Sequence, residues 1–139
     1  MEFHYQEPYP ILKDETQYKK LSSEYVKTEM LGDREILTID PKALELLAEN
    51  ALADVSFMLR SSHLQKLKNI IEDPEATDND RFVAYNLLQN AAVAIEGALP
   101  SCQDTGTAIC VAKKGENVYT GSTDAEWISK GIYKKKKKR

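Results

Sequence analysis

The sequence predicts an α+β fold: a helical layer with short hairpins forming part of a mixed sheet. Apolar residues recur at spacings of three and four in successive stretches between Asp40 and Gly97, the period of helices with one buried face. Residues suited to strands flank that helical run on both sides. Turn sequences interrupt the flanking stretches, Gly32-Asp33 in the first and "KKGEN" in the second, which divides each into two arms.

The chain to about Lys20 carries Pro8 and Pro10 among aromatic residues and reads as an extended arm. In "EYVKTEMLGDREILTID" the approach to alternation at Ile36, Leu37 and Ile39 predicts a hairpin turning at Gly32-Asp33. "DPKALELLAENALADVSFMLR" predicts the longest helix: Asp40 caps it, Pro41 takes the first helical position, and Leu44, Leu47, Ala48, Ala51, Leu52, Val55, Met58 and Leu59 form its stripe. "SSHLQKLKNIIEDP" predicts a shorter helix with a serine cap ahead of Leu64, Leu67, Ile70 and Ile71, ending before Pro74. A third helix is predicted in "TDNDRFVAYNLLQNAAVAIEG", capped by Thr77 or Asp78, with Phe82, Val83, Leu87, Leu88 and Ala91 as its stripe and Gly97 as its stop. "TAICVAKK" and "NVYTG", joined through "KKGEN", predict a second antiparallel hairpin. "STDAEWISKGIY" then opens a helix from Ser122, Thr123 or Asp124 that stops in the lysines.

At 139 residues there is room for one domain with one core. Hydrophobic residues at 42% and charged residues at 29% are globular values, and no window approaches the roughly 18 uninterrupted apolar residues of a membrane span. The N-terminal sequence has neither a basic start nor an apolar core, which predicts a cytoplasmic protein without a secretory signal. Two cysteines, Cys102 and Cys110, are too few for a disulfide-stapled scaffold. The net charge of −3 gives no reason to expect nucleic acid. It conceals an asymmetry, however: the last six residues, "KKKKKR", are all basic, and without them the body stands at −9.

The stretch with chemical content is "SCQDTGTAIC", residues 101–110. A thiol between a helical layer and a strand can bind a metal or cluster, act as a nucleophile, or fill space, and a lone cysteine is most often buried filler. Cys102 and Cys110 are eight apart, unlike the close pairs of zinc modules, and no later ligand follows at suitable spacing. A cysteine–histidine nucleophile would have to recruit His4 or His63, which nothing in the sequence ties to the loop.

The wording of the loop goes further. "LPSCQDTGTA", followed by an apolar strand and "KKG", resembles the segment that carries the first cluster cysteine in the class I, iron-sulfur fumarate hydratases. The resemblance extends through "FHYQEPYPILKDETQYKKL", "ALELLAENALADVSFMLR", "EDPEATDNDRFVAYNLLQN" and "NVYTGSTDAEWISKGIY", covering nearly everything from Phe3 to Tyr133. It implies a hydro-lyase of the tricarboxylic acid cycle that interconverts fumarate and L-malate on a [4Fe-4S] cluster, working as a homodimer when complete. Cys102 matches the first cluster ligand, and Gln103 and Asp104 match residues of the substrate site. An amide can donate to a carboxylate, and an Asp can accept from a hydroxyl or from a positioning arginine. Cys110 stands where the family has an aliphatic strand residue, which makes it core packing; His63 becomes a helix-surface residue and Trp127 a packing one.

The resemblance also marks what these residues lack. The family's other two cluster cysteines, its general base and its arginine clamp lie farther along than residue 139, and one thiolate cannot retain a [4Fe-4S] cluster. The expectation is therefore an incomplete N-terminal domain of an iron-sulfur hydro-lyase, residues 1–133, followed by an aberrant basic tail, 134–139, of the kind a frameshift leaves. By itself it would be inactive, with apolar faces such as Leu44, Leu47, Leu87 and Leu88 partly open. Two alternatives stand beside it: the related L(+)-tartrate dehydratase, which shares cluster and chemistry, and a non-catalytic interaction domain.

Overall fold

The computed structural model describes residues 3–7, 17–101, 107–121 and 123–137. Its elements in chain order are β1 (Val26–Leu31), β2 (Arg34–Ile39), α1 (Pro41–Phe57), α2 (Ser61–Glu72), α3 (Asp78–Ala94), β3 (Val118–Tyr119) and α4 (Asp124–Lys137). Beside four helices the strands form a three-stranded mixed sheet of order β1-β2-β3, so the α+β class stands.

The first hairpin forms as predicted. β1 and β2 run antiparallel from Val26↔Ile39 to Leu31↔Arg34, which leaves Gly32 and Asp33 as a two-residue turn. Gly32 takes φ +65°, the sign that mirror-image hairpin turns need and that glycine adopts without steric cost. The second hairpin does not form. Among the described residues, 107–114 contain no strand, and Val118–Tyr119 instead pair parallel with Leu37–Thr38 of β2. The peptide N–H of Leu37 donates to the Asn117 carbonyl at 2.9 Å, so the open side of β2 captures the segment that local pattern assigned to a return strand. A parallel pair needs a long crossover, and α1 to α3 supply it.

Helix α1 begins where Asp40 and Pro41 predicted. The Asp40 carboxylate accepts from the Lys42 peptide N–H at 2.9 Å, and proline at the first helical position loses no bond. Its end comes early: Met58 is already extended at φ −126°, ψ 136°. Met58, Leu59 and Arg60 form the whole link to α2, so Ser61 is inside the helix and Arg60 occupies the cap position, where its side chain makes no capping hydrogen bond. The predicted serine cap is thereby corrected. Helix α3 has the full capping box: Thr77 Oγ1 accepts from the Asp80 N–H at 3.2 Å, and Asp80 Oδ2 accepts from the Thr77 N–H at 3.0 Å. Gly97, at φ +81°, closes the turn after it by donating to the Ala94 carbonyl at 2.9 Å.

Helix α4 runs past the expected stop through Lys137. Lysine is a good helix former, and ammonium groups in a last turn face the negative end of the helix dipole. Lys134 also forms an ion pair with Glu45 of α1, where Glu45 is nearly buried.

The helices pack as two pairs, α1 against α4 and α2 against α3. Small residues dominate the buried apolar set of Ala48, Leu67, Ala84 and Ala94, while Gly131 is buried on α4. Leu47 and Leu87 are exposed and Leu44 and Leu88 half-buried, as expected of partly open faces. On α3, Phe82 and Val83 of the predicted stripe are exposed, whereas the interior takes Ala84 and Ala94. Close helix approach favours the small side of the cylinder over its larger apolar one.

Candidate functional site

Cys102, Gln103 and Asp104 lie outside the described residues; the structure describes what enters and leaves their loop. On the entry side, Ser101 is buried. Its peptide N–H donates to the Ser56 carbonyl at 2.8 Å, and its hydroxyl donates to the same oxygen at 3.2 Å. Ser56 belongs to the last turn of α1, where carbonyls run out of intrahelical amides. It is itself buried, with its hydroxyl donating to the Leu52 carbonyl at 2.6 Å. The residue before the candidate ligand is thus bound to the end of α1.

On the exit side, Thr107 to Val111 are exposed. Cys110 is exposed rather than packed as a strand residue, a correction that follows from the absent hairpin. It borders an apolar groove of about 240 Å³ between α1 and α4, with Leu52, Val55, Ile128 and Ile132. Farther on, Lys114 bonds to Asp124 at 2.8 Å and to the hydroxyl of buried Thr120 at 3.2 Å, while Thr120 in turn donates to Asp124. The Lys114 ammonium, then the Thr120 hydroxyl, hold the Asp124 carboxyl below the usual carboxylate value. This network ties the segment after the loop to the start of α4, where Thr123 takes φ +57°. On the far side of the segment, Lys113 pairs with Glu7 of the N-terminal arm.

His63 sits exposed on α2 and His4 exposed in the arm. Among the described residues no group of three or more histidine, cysteine or acidic side chains is positioned to hold a metal ion, and no helix is long and apolar enough to cross a membrane. Trp127 is half-buried on α4 with the Lys130 ammonium 4.2 Å from its ring centroid, so it packs with a cation as well as with apolar neighbours. Sequence reasoning missed Ser56, Ser101 and the Lys114–Thr120–Asp124 network. Adjacency to Cys102 is the only sequence signal for Ser101, and "KKG" was legible only as a turn.

A small mixed sheet beside two packed helix pairs agrees with part of a hydro-lyase fold, and the chain belongs to the fumarate hydratase family: the family model described as "Fumarate hydratase (Fumerase)" matches residues 45–139. Class I enzymes are among the relatives it resembles. It is 50% identical over 131 residues to "Fumarate hydratase class I, aerobic" of Escherichia coli (strain K12), covering 94% of this chain and 24% of the relative. The anaerobic class I enzyme of the same strain is also 50% identical over 131 residues, with the same coverage. "Fumarate hydratase 1, mitochondrial" of Leishmania major is 47% identical over 121 residues, 86% of this chain and 22% of the relative. The chain thus spans about a quarter of the length of these relatives.

Proposed function

We propose that this chain is the N-terminal segment of a class I fumarate hydratase, contributing one ligand and two substrate contacts to a centre that hydrates fumarate reversibly to L-malate. The observation that carries the reading is the 50% identity over 131 residues to class I enzymes, in a chain whose sequence contains "PSCQDTGTA". Cys102 is the thiolate for a [4Fe-4S] cluster. Gln103 donates to a substrate carboxylate, and Asp104 accepts from the substrate hydroxyl or from an arginine that positions it.

The residues present do not by themselves fit a whole cluster. Such a cluster takes three or four protein ligands, and this chain has two thiols, of which Cys110 lies exposed beside the α1–α4 groove. No step of the reaction is therefore assigned to these residues alone. The remaining ligands come from polypeptide other than these 139 residues. Residues 1–133 make up the front part of the N-terminal domain and 134–139 a basic extension whose first lysine is bonded to Glu45. The assembled protein is a cytoplasmic homodimer of the tricarboxylic acid cycle that needs neither membrane nor nucleic acid.

The test is anaerobic reconstitution with iron and sulfide, first of this chain alone and then of the chain coexpressed with a downstream fragment of a class I enzyme. Brown colour and fumarate turnover only in the mixture are expected, both lost in Cys102→Ser. Turnover of tartrate without fumarate would move the assignment to the tartrate dehydratases. Absence of iron from both samples would defeat the cluster reading.

A further inference from the structure

We propose that the groove between α2 and α3 receives the last turn of α4 from a second copy of this chain, joining copies head to tail. The groove holds about 540 Å³, and its lining belongs to α2, α3 and the link between them. Its apolar part, Ile70, Val83 and Leu87, comes from within the helices and is open to solvent, while its acidic part, Asp73, Glu75 and Asp80, comes from the link and the first turn of α3. The stretch from Glu72 to Asp80, "EDPEATDND", carries five acidic residues and no basic one. Lys68 pairs with Glu72 and Arg81 with Asp78. The carboxylates inside the groove are served differently: Asp73 and Asp80 accept from the neutral peptide N–H groups of Glu75 and Thr77, at 2.9 and 3.0 Å, and so keep their charge.

The last turn of α4 has the complementary pattern. Lys134 is engaged with Glu45 and Gly131 is buried against α1, which leaves Tyr133, Lys136 and Lys137 exposed. Positions three and four apart share a helix face, and the Lys137 ammonium stands 5.2 Å from the centroid of the Tyr133 ring. That face offers an aromatic ring, 60% exposed, with two ammonium groups beside it. The ring suits the apolar part of the groove and the ammonium groups its carboxylates, an arrangement in which charge fixes the register and apolar burial adds affinity. Within one chain α4 packs with α1, and α2 with α3, as separate pairs, so the helix end that fills the groove belongs to another copy. Donor and acceptor surfaces differ, and the contact is therefore heterologous and extends from copy to copy.

The test is sedimentation velocity of the full chain at up to about 100 μM, a range suited to a small interface, with far-ultraviolet circular dichroism as the check on folding. Association is expected in about 20 mM salt and at least about fivefold weaker in about 500 mM, because exposed charges are screened. Glu75→Lys, which leaves the Thr77–Asp80 capping box in place, and the double variant Lys136→Glu/Lys137→Glu should each weaken association by a similar factor with helicity kept. An equimolar mixture of the two should restore it, since the first supplies an intact α4 end and the second an intact groove. A parent that stays monomeric would overturn the proposal and leave the groove to another polypeptide. Equal association at both salt concentrations would overturn it too, as would a mixture no more associated than its components. Association that survives both charge reversals and is lost in Phe82→Lys would assign the contact to apolar stacking of α3 helices instead.

Discussion

Gly131 of α4 lies so close to Ala48 of α1 that a Cβ placed at Gly131 would stand 2.8 Å from the Ala48 Cβ, and 2.2 Å from the carbonyl oxygen of Glu45. The second contact is with backbone, which cannot rotate away as a side-chain tip can. The α1–α4 pairing therefore depends on the absence of one methyl group.

Gly131→Ala should destabilise the chain. Alanine gains about 1 kcal/mol of helix propensity over glycine, whereas forcing an extra methyl into a closed contact costs about 1–3 kcal/mol and more against main chain. The expected outcome of urea unfolding is a net loss of at least about 1 kcal/mol, with α4 separating from α1. A variant more stable than the parent would mean that the two helices do not approach this closely.

The Glu45–Lys134 pair predicts a dependence on alkaline pH. Glu45, first as hydrogen-bond partner and then through its charge, holds Lys134 above the ordinary lysine value of 10.5. A raised lysine contributes stability in full below its unfolded value, and that contribution is lost as the pH rises through the folded one. Thermal midpoints followed from about pH 9 to about pH 11.5 should fall at the upper end in the parent and fall less in Glu45→Gln. Parallel curves would count against the pair.

At the start of α3 the sign reverses. The Thr77 hydroxyl, then its peptide N–H, donate to Asp80 and hold its carboxyl below the ordinary 3.8. That contribution is present above 3.8 and disappears as the pH falls through the lowered value. Acid titration monitored by helicity should show a less steep loss in Asp80→Asn. Thr77→Ala, which removes the cap acceptor, should cost about 1 kcal/mol at neutral pH. A neutral Thr77→Ala would remove the capping box from the account of α3.

Exposed apolar side chains on one helix favour association. Phe82 is 66% exposed, and Val83 and Leu87 of the same helix are exposed as well. Sedimentation at concentrations up to about 100 μM is expected to show self-association that Phe82→Lys reduces. A monomer throughout that range would remove α3 as the cause.

Several features were legible in the sequence because the residues that make them are neighbours in the chain. The Asp40–Pro41 start, a cap at Thr77 or Asp78 and the Gly32 turn each close hydrogen bonds over one to four positions, so composition and spacing were enough; that Thr77 is the cap and Asp80 completes a box was seen in the structure. The serine cap of α2 failed on the same scale because the three-residue link after Phe57 leaves no room for it. Of the candidate site, Cys102, Gln103 and Asp104 were legible only through resemblance, since their residue types recur in ordinary turns. The Ser101–Ser56 clamp that leads into them carries no periodic signature at all.

By itself the sequence determined the α+β class, the start of α1 at Asp40-Pro41 and the family, all of which rest on local hydrogen bonding or on the order of residues. Only the tertiary structure decided that Val118 and Tyr119 join β2 in parallel, that the lysines continue α4 with Lys134 against Glu45, and that Ser101 takes its place on α1. The physical reason is distance along the chain. These contacts bring together groups tens of residues apart, and the partner of each is selected by which carbonyl, carboxylate or strand edge the packed helices leave open.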